Sequence, residues 1–135
     1  HDLRGREEAM PHPPIDSQIT FLYTHDLAQT AQFYEEAMGL QLKLDQGACR
    51  IYQVSEDGYL GFCQQPDGSE AKTDPSRIIL TIVTDSVDEW HSYLGDQNVH
   101  AEKQPAVNAK FGIYHFFVRD PSGYLIEIQQ FLHPF

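Results

Sequence analysis

Residues 57–65 read DGYLGFCQQ, and residues 122–130 read SGYLIEIQQ. Five of the nine positions are identical: Gly58/Gly123, Tyr59/Tyr124, Leu60/Leu125, Gln64/Gln129 and Gln65/Gln130. Such a match marks an internal repeat, and a repeat dictates architecture before local propensity does. Each copy leaves a turn, EDG at 56–58 and DPSG at 120–123, and runs on as a β-prone segment. Pro and Gly supply the dihedrals a hairpin turn needs. The preceding arms are Cys49–Val54 and Tyr114–Arg119, so each copy closes on a β-hairpin.

Upstream of each hairpin the halves agree again. Ile19–Tyr23 (ITFLY) and Ile78–Val83 (IILTIV) are rich in strand formers. Asp26 with Gln29, and Ser86 with Glu89, have the spacing of a capping box. Leu27, Ala31, Tyr34 and Met38 then recur at helical spacing up to Gly39, as do Val87, Trp90, His91 and Leu94 up to Gly95. A short Leu40–Leu44 strand follows the first helix. The expected fold is α+β: two tandem βαβββ modules, one over about 18–65 and one over about 78–131. The polar, turn-rich stretch 66–77 (PDGSEAKTDPSR) links them. Residues 17–135 form one domain in this reading. Residues 1–16 are a disordered lead-in, in part an expression remnant.

The chain has 135 residues, 41% of them hydrophobic, enough for one ordinary core. Nine Lys and Arg stand against 20 Asp and Glu, a formal net charge of −11. Nucleic acid and anionic membranes are therefore excluded as expected partners, and a cationic ligand is favoured at long range. No apolar run reaches the length of a membrane span. A cytoplasmic setting is the default expectation. The two cysteines, Cys49 and Cys63, form no CxxC and suggest neither a disulfide scaffold nor a zinc knuckle.

The βαβββ order, repeated, resembles the vicinal oxygen chelate superfamily of glyoxalase I, bleomycin-resistance proteins and extradiol dioxygenases. HDLAQTAQFYEEAMGL at 25–40 and RDPSGYLIEI at 119–128 carry the resemblance, which covers about residues 18–131. It implies a curved mixed sheet forming a cup, and a homodimer. It also implies metal ligands on the first and last strands of each module in the members that are metalloenzymes. Carried onto this chain through the repeat, those places hold Ile19, Phe62, Ile79 and Glu127. Three of them are hydrocarbon. A one-residue slip offers Gln18 or Thr20, Ile78 or Leu80, and Gly61 or Cys63, which still make no convincing set. No metal site and no cofactor are therefore expected.

Strand alternation assigns the cup face. Phe21 and Tyr23 accompany Ile19, and Thr81 and Val83 accompany Ile79. Cys49, Ile51, Leu60 and Gln64 accompany Phe62. Tyr114, Phe116, Leu125 and Gln129 accompany Glu127. The expected ligand-binding residues are thus Phe21, Tyr23, Cys49, Phe62, Thr81, Tyr114, Phe116, Glu127 and Gln129, an aromatic pocket suited to a small organic molecule. Glu127 is the candidate general acid or base, or the anchor for a ligand cation. Pairing Arg119 with Tyr124 puts Phe116 opposite Glu127 and turns His115 to the other face as a packed histidine. His25 and His91 read as structural. Cys49 and Cys63 fall on opposite faces, which argues against a bond between them.

Two functions remain. One is a metal-free protein that binds a small organic ligand, cationic or aromatic, as bleomycin-resistance proteins do. The alternative is a metal-dependent enzyme, either a lactoylglutathione lyase-like lyase or isomerase, or an extradiol dioxygenase. Only that alternative calls for a divalent metal, and whether the chain catalyses any reaction is left open.

Overall fold

A computed structural model describes residues 12–66 and 74–134. Its two halves repeat one plan. The first half is β1 (Gln18–Thr24), α1 (Leu27–Gln32), β2 (Gln41–Asp45), β3 (Cys49–Gln53) and β4 (Gly58–Gln64). The second is β5 (Ile79–Val83), α2 (Val87–Asp96), β6 (Ala106–Asn108), β7 (Ile113–Arg119) and β8 (Leu125–Phe131). Each forms a four-stranded mixed sheet, ordered β1-β4-β3-β2 and β5-β8-β7-β6, in which the first and last strands run parallel. The expected α+β fold of two βαβββ modules is the one observed. Of the lead-in, residues 1–11 lie outside the described residues, as do 67–73 of the linker.

The helices form where the apolar spacing placed them, with differences at their ends. Asp26 caps α1 by accepting from the Gln29 amide, and Leu27, Ala31, Tyr34 and Met38 are all buried. After Gln32 the coil widens to a π-helical turn over Phe33–Ala37, and Gly39 ends it at φ 72°. Ser86 starts α2 without the expected side-chain cap. Gly95 lies inside α2, and Asn98 makes the left-handed turn after it at φ 62°. No helix among the described residues is long and apolar enough to cross a membrane.

One face of each sheet packs under the helices into a shared core. Leu22, Phe62 and Tyr52 meet Tyr34 there, and Leu80, Phe116, Ile126 and Ile128 meet Val87 and Leu94. Phe62 is fully buried, its ring 4.3 Å from that of Tyr34. It therefore belongs to the core and not to the cup. Leu60 and Gln64 share its face, where Gln64 accepts from the Leu27 amide.

The two halves are also joined by polar contacts. Tyr34 donates to Asp120 at 2.8 Å, and the Tyr124 hydroxyl donates to the Tyr23 carbonyl at 2.8 Å. Thr24 and Ser122 meet through their hydroxyls at 2.8 Å.

Contrary to expectation, Cys49 and Cys63 face each other. They are direct partners across β3 and β4 and form a disulfide. Alternation that groups Cys49 with Phe62 separates the two cysteines; the observed pairing puts Cys49, Ile51, Gly61 and Cys63 together on the face away from the helices.

Candidate functional site

The register of the last hairpin decides what surrounds Glu127. Arg119 pairs with Leu125, not Tyr124, so Glu127 stands opposite Phe117 and His115 opposite Gln129. This one-residue difference turns Tyr114 and Phe116 to the helix face and brings His115 to the face of Glu127. Phe116 is 3% exposed in the core, and Tyr114 bonds Asp88 at the start of α2. In the parallel pair, Thr81 lies beside Glu127 and Val83 beside Gln129.

Glu127 is buried and fully engaged. Thr81 donates to its Oε1 at 2.9 Å, and His115 Nδ1 lies 2.7 Å from its Oε2. The Gln129 amide faces the same carboxylate. Two oxygens do not share a hydrogen bond, so the Gln129 nitrogen is the atom turned inward, 3.0 Å from each oxygen. A carboxylate only accepts, so Nδ1 of His115 carries the proton. Nε2 has no partner among the described residues and is not among the buried unsatisfied atoms. The expected pairing of Arg119 with Tyr124 turns His115 to the other face; the observed register makes it a partner of Glu127 instead.

The first half is built differently at the matching place. Ile19 pairs with Tyr59 as Ile79 pairs with Leu125, so the counterpart of Glu127 is Gly61 rather than Phe62. Phe21 lies over Gly61, where a Cβ would collide with its ring. Phe21 and Tyr23 are about half exposed, as is Ile79.

A cavity of about 780 Å³ opens between the halves. Gln29 and Phe33 of the first half form one side. The other is the run from His115 to Pro121 together with Leu125 and residues 98–104 apart from Ala101. Consecutive residues of β7 line it because β6 is short and stops pairing at His115, which leaves the rest of that strand edge uncovered. His115 is the one member of the Glu127 cluster in this wall; Thr81, Glu127 and Gln129 do not line it, nor do Phe21, Tyr23 and Cys49. Phe116 lines it from the core side. The cavity thus lies between the two copies, but the cup face of the first sheet takes no part in it.

Within that wall, Asp120 is buried at the module junction. It accepts from Tyr34 and from the amides of Ser122 and Tyr124. Burial raises its pKa above the ordinary carboxylate value against the pull of those bonds. The Tyr34 hydroxyl is pushed well up, by burial first and by Asp120 second.

The comparisons with known proteins meet this geometry at the level of family. A model of the Glyoxalase/Bleomycin resistance protein/Dioxygenase superfamily matches residues 17–128. This chain belongs to that superfamily. Solved structures share the fold. An integron cassette protein from the mobile metagenome of V. cholerae is 23% identical at a TM-score of 0.68, over 90% of this chain and 98% of that one. A lactoylglutathione lyase from Agrobacterium tumefaciens is 22% identical at 0.68, over 88% and 96%. A glyoxalase/bleomycin resistance protein/dioxygenase from Nocardioides is 15% identical at 0.71, over 98% and 93%. No curated protein matched the chain.

Metal use in this superfamily can be set against the residues present. The family ligand places fall on Ile19, Gly61, Ile79 and Glu127, and only Glu127 offers a lone pair from its side chain. That carboxylate already accepts from Thr81, His115 and Gln129. Cys63 is bound in the disulfide. Among the described residues no three His, Cys, Asp or Glu side chains converge. This donor set does not fit a divalent ion.

Proposed function

We propose that this protein is a metal-free member of the superfamily that binds a small organic, aromatic molecule in the cavity between its halves. The observation that carries the reading is the engaged state of Glu127, with hydrocarbon or glycine at the other three ligand places. A volume of about 780 Å³ is in the range of small-molecule sites. Phe33, Phe117 and Leu125 are apolar members of its wall, which also holds polar residues, among them Glu102, Lys103, His115 and Arg119.

Calorimetric titration with Zn, Ni, Mn and Fe tests the metal-free part. No tight site is expected. One tight equivalent per chain, with lyase or dioxygenase activity following the metal, overturns it. Native mass spectrometry of the purified protein tests the binding part, with a co-purified small molecule as the expected result.

The proposal includes a homodimer. Ile19, Phe21 and Tyr23 on one sheet and Ile79 and Val83 on the other leave apolar faces 38–60% exposed. A second copy would cover them. Sedimentation showing only monomer at high concentration argues against it.

A further inference from the structure

The free edge of β7 says how a molecule in the cavity is held, an inference that rests on the binding reading above. We propose that the cavity takes an extended aromatic amino-acid residue in amide linkage, whose N–H and C=O pair with the backbone of Phe117.

In an antiparallel sheet, successive residues turn their backbone N–H and C=O to alternate sides. The Asp120 amide donates to the Tyr124 carbonyl at 2.9 Å, and the Leu132 amide donates to the Gly112 carbonyl at 2.8 Å. Both bonds lie in the register of β7 with β8, so the even-numbered residues between them, Tyr114, Phe116 and Val118, bond β8. Ile113, His115, Phe117 and Arg119 point the other way. On that side β6 takes up Ile113 through Asn108 and His115 through Ala106, and it reaches no further along β7. The chain ahead of β6 leaves the sheet, and Asn98–His100 and Glu102–Gln104 form the far side of the cavity. The N–H and C=O of Phe117 therefore face the gap, without a hydrogen bond to any described residue.

A donor and an acceptor side by side on a strand edge match the N–H and C=O of one extended residue, as Ala106 matches His115. Gln29 and Phe33 bound the gap from the first half, so at about 780 Å³ it suits a small derivative and not the strand of a second protein. Phe33 and Leu125 in the wall favour an aromatic side chain on that residue. A wall that is otherwise largely polar suits the flanking amide groups better than hydrocarbon.

The test uses the unaltered protein and two matched probes. N-acetylphenylalanine methylamide carries both groups; its analogue methylated on the phenylalanine nitrogen lacks the donor. The first is expected to bind about tenfold more tightly, the worth of one well-placed hydrogen bond. Amide NMR reads the edge directly. In the free protein the Phe117 amide is expected to exchange its hydrogen fast and the Val118 amide, bonded to β8, slowly. The first probe is expected to shift the Phe117 signal and slow its exchange. Equally slow exchange of both amides in the free protein overturns the proposal, because the edge is then covered. Equal binding of the two probes, or binding that leaves the Phe117 amide unmoved, overturns the pairing and leaves the binding reading intact. Binding of neither probe overturns the ligand class, and a co-purified molecule in the native mass spectrum separates that failure from failure of the binding reading.

Discussion

Phe21 covers Gly61 in the first sheet, at the place where Thr81 donates to Glu127 in the second. The halves have exchanged bulk between neighbouring strands: a large residue on β1 over none on β4, and a small residue on β5 beside a large one on β8. The exchange also removes a ligand-bearing side chain from the first half.

It predicts a coupling that denaturant unfolding can measure. Gly61→Ala places a methyl against the Phe21 ring and is expected to destabilise the fold by about 1–3 kcal/mol, the usual range for overpacking. In a Phe21→Ala background the same change removes a strand glycine without a clash and is expected to be neutral or stabilising. Equal effects in both backgrounds would show that Phe21 does not hold this position.

The Tyr34–Asp120 bond ties the first helix to the turn of the last hairpin, 2.8 Å long and buried at both ends. Tyr34→Phe removes one hydroxyl and keeps the stacking on Phe62. The loss is a donor to a buried carboxylate, so a cost of about 1–3 kcal/mol is expected. Thermal unfolding checks it. A cost near zero would mean that water replaces the hydroxyl.

Asp120 also gives a pH signature. Its folded-state pKa is raised, by burial first. A carboxyl of this kind holds its proton more tightly folded than unfolded. Its contribution is therefore fully present below the unfolded carboxylate pKa, and it is lost as pH rises through the higher folded value. Asp120→Asn removes the titration. The stability of the wild type relative to this variant is expected to rise as pH falls across that window and to level off below it. Paired melting curves through the acid range measure the difference, and a gap that shrinks with falling pH contradicts the raised value.

The architecture was legible because helical and strand periodicities differ, and the repeat displayed each of them twice. The site was less legible because strand facing depends on a single residue of register. Gln53 pairs with Tyr59 and Arg119 with Leu125, so the two hairpin turns are equally long. Their glycines are not at matching places: Gly58 stands one residue before Tyr59, the first residue paired across its hairpin, and Gly123 two residues before Leu125, at φ 90°. Aligning glycine on glycine slipped one copy against the other. Glycine-on-glycine alignment therefore matches Glu127 to Phe62 instead of Gly61. A slip of the same size in the pairing assumed across the last hairpin, Arg119 with Tyr124, hid His115. Nothing in composition or spacing locates a turn glycine to that accuracy, whereas the burial of Leu27 and Val87 needed no register at all.

The Cys49–Cys63 bond joins directly opposed residues on adjacent strands, 14 apart in sequence. Closing so short a loop in the unfolded chain is worth about 3 kcal/mol in the chain-entropy account. Replacing both cysteines by serine is expected to cost about 2–3 kcal/mol, less where the hairpin already persists in the unfolded ensemble. Thiol counting under denaturing conditions is the direct check: none per chain before reduction and two after. The same count bears on where the protein works, because structural disulfides persist in oxidising compartments and are rare in the cytosol. Protein trapped with a thiol-blocking reagent from intact cells is expected to carry the bond if it resides outside the reducing cytosol. Two blocked thiols would instead place it inside, with Cys49 and Cys63 reduced beside Tyr23, the strand partner of Cys63.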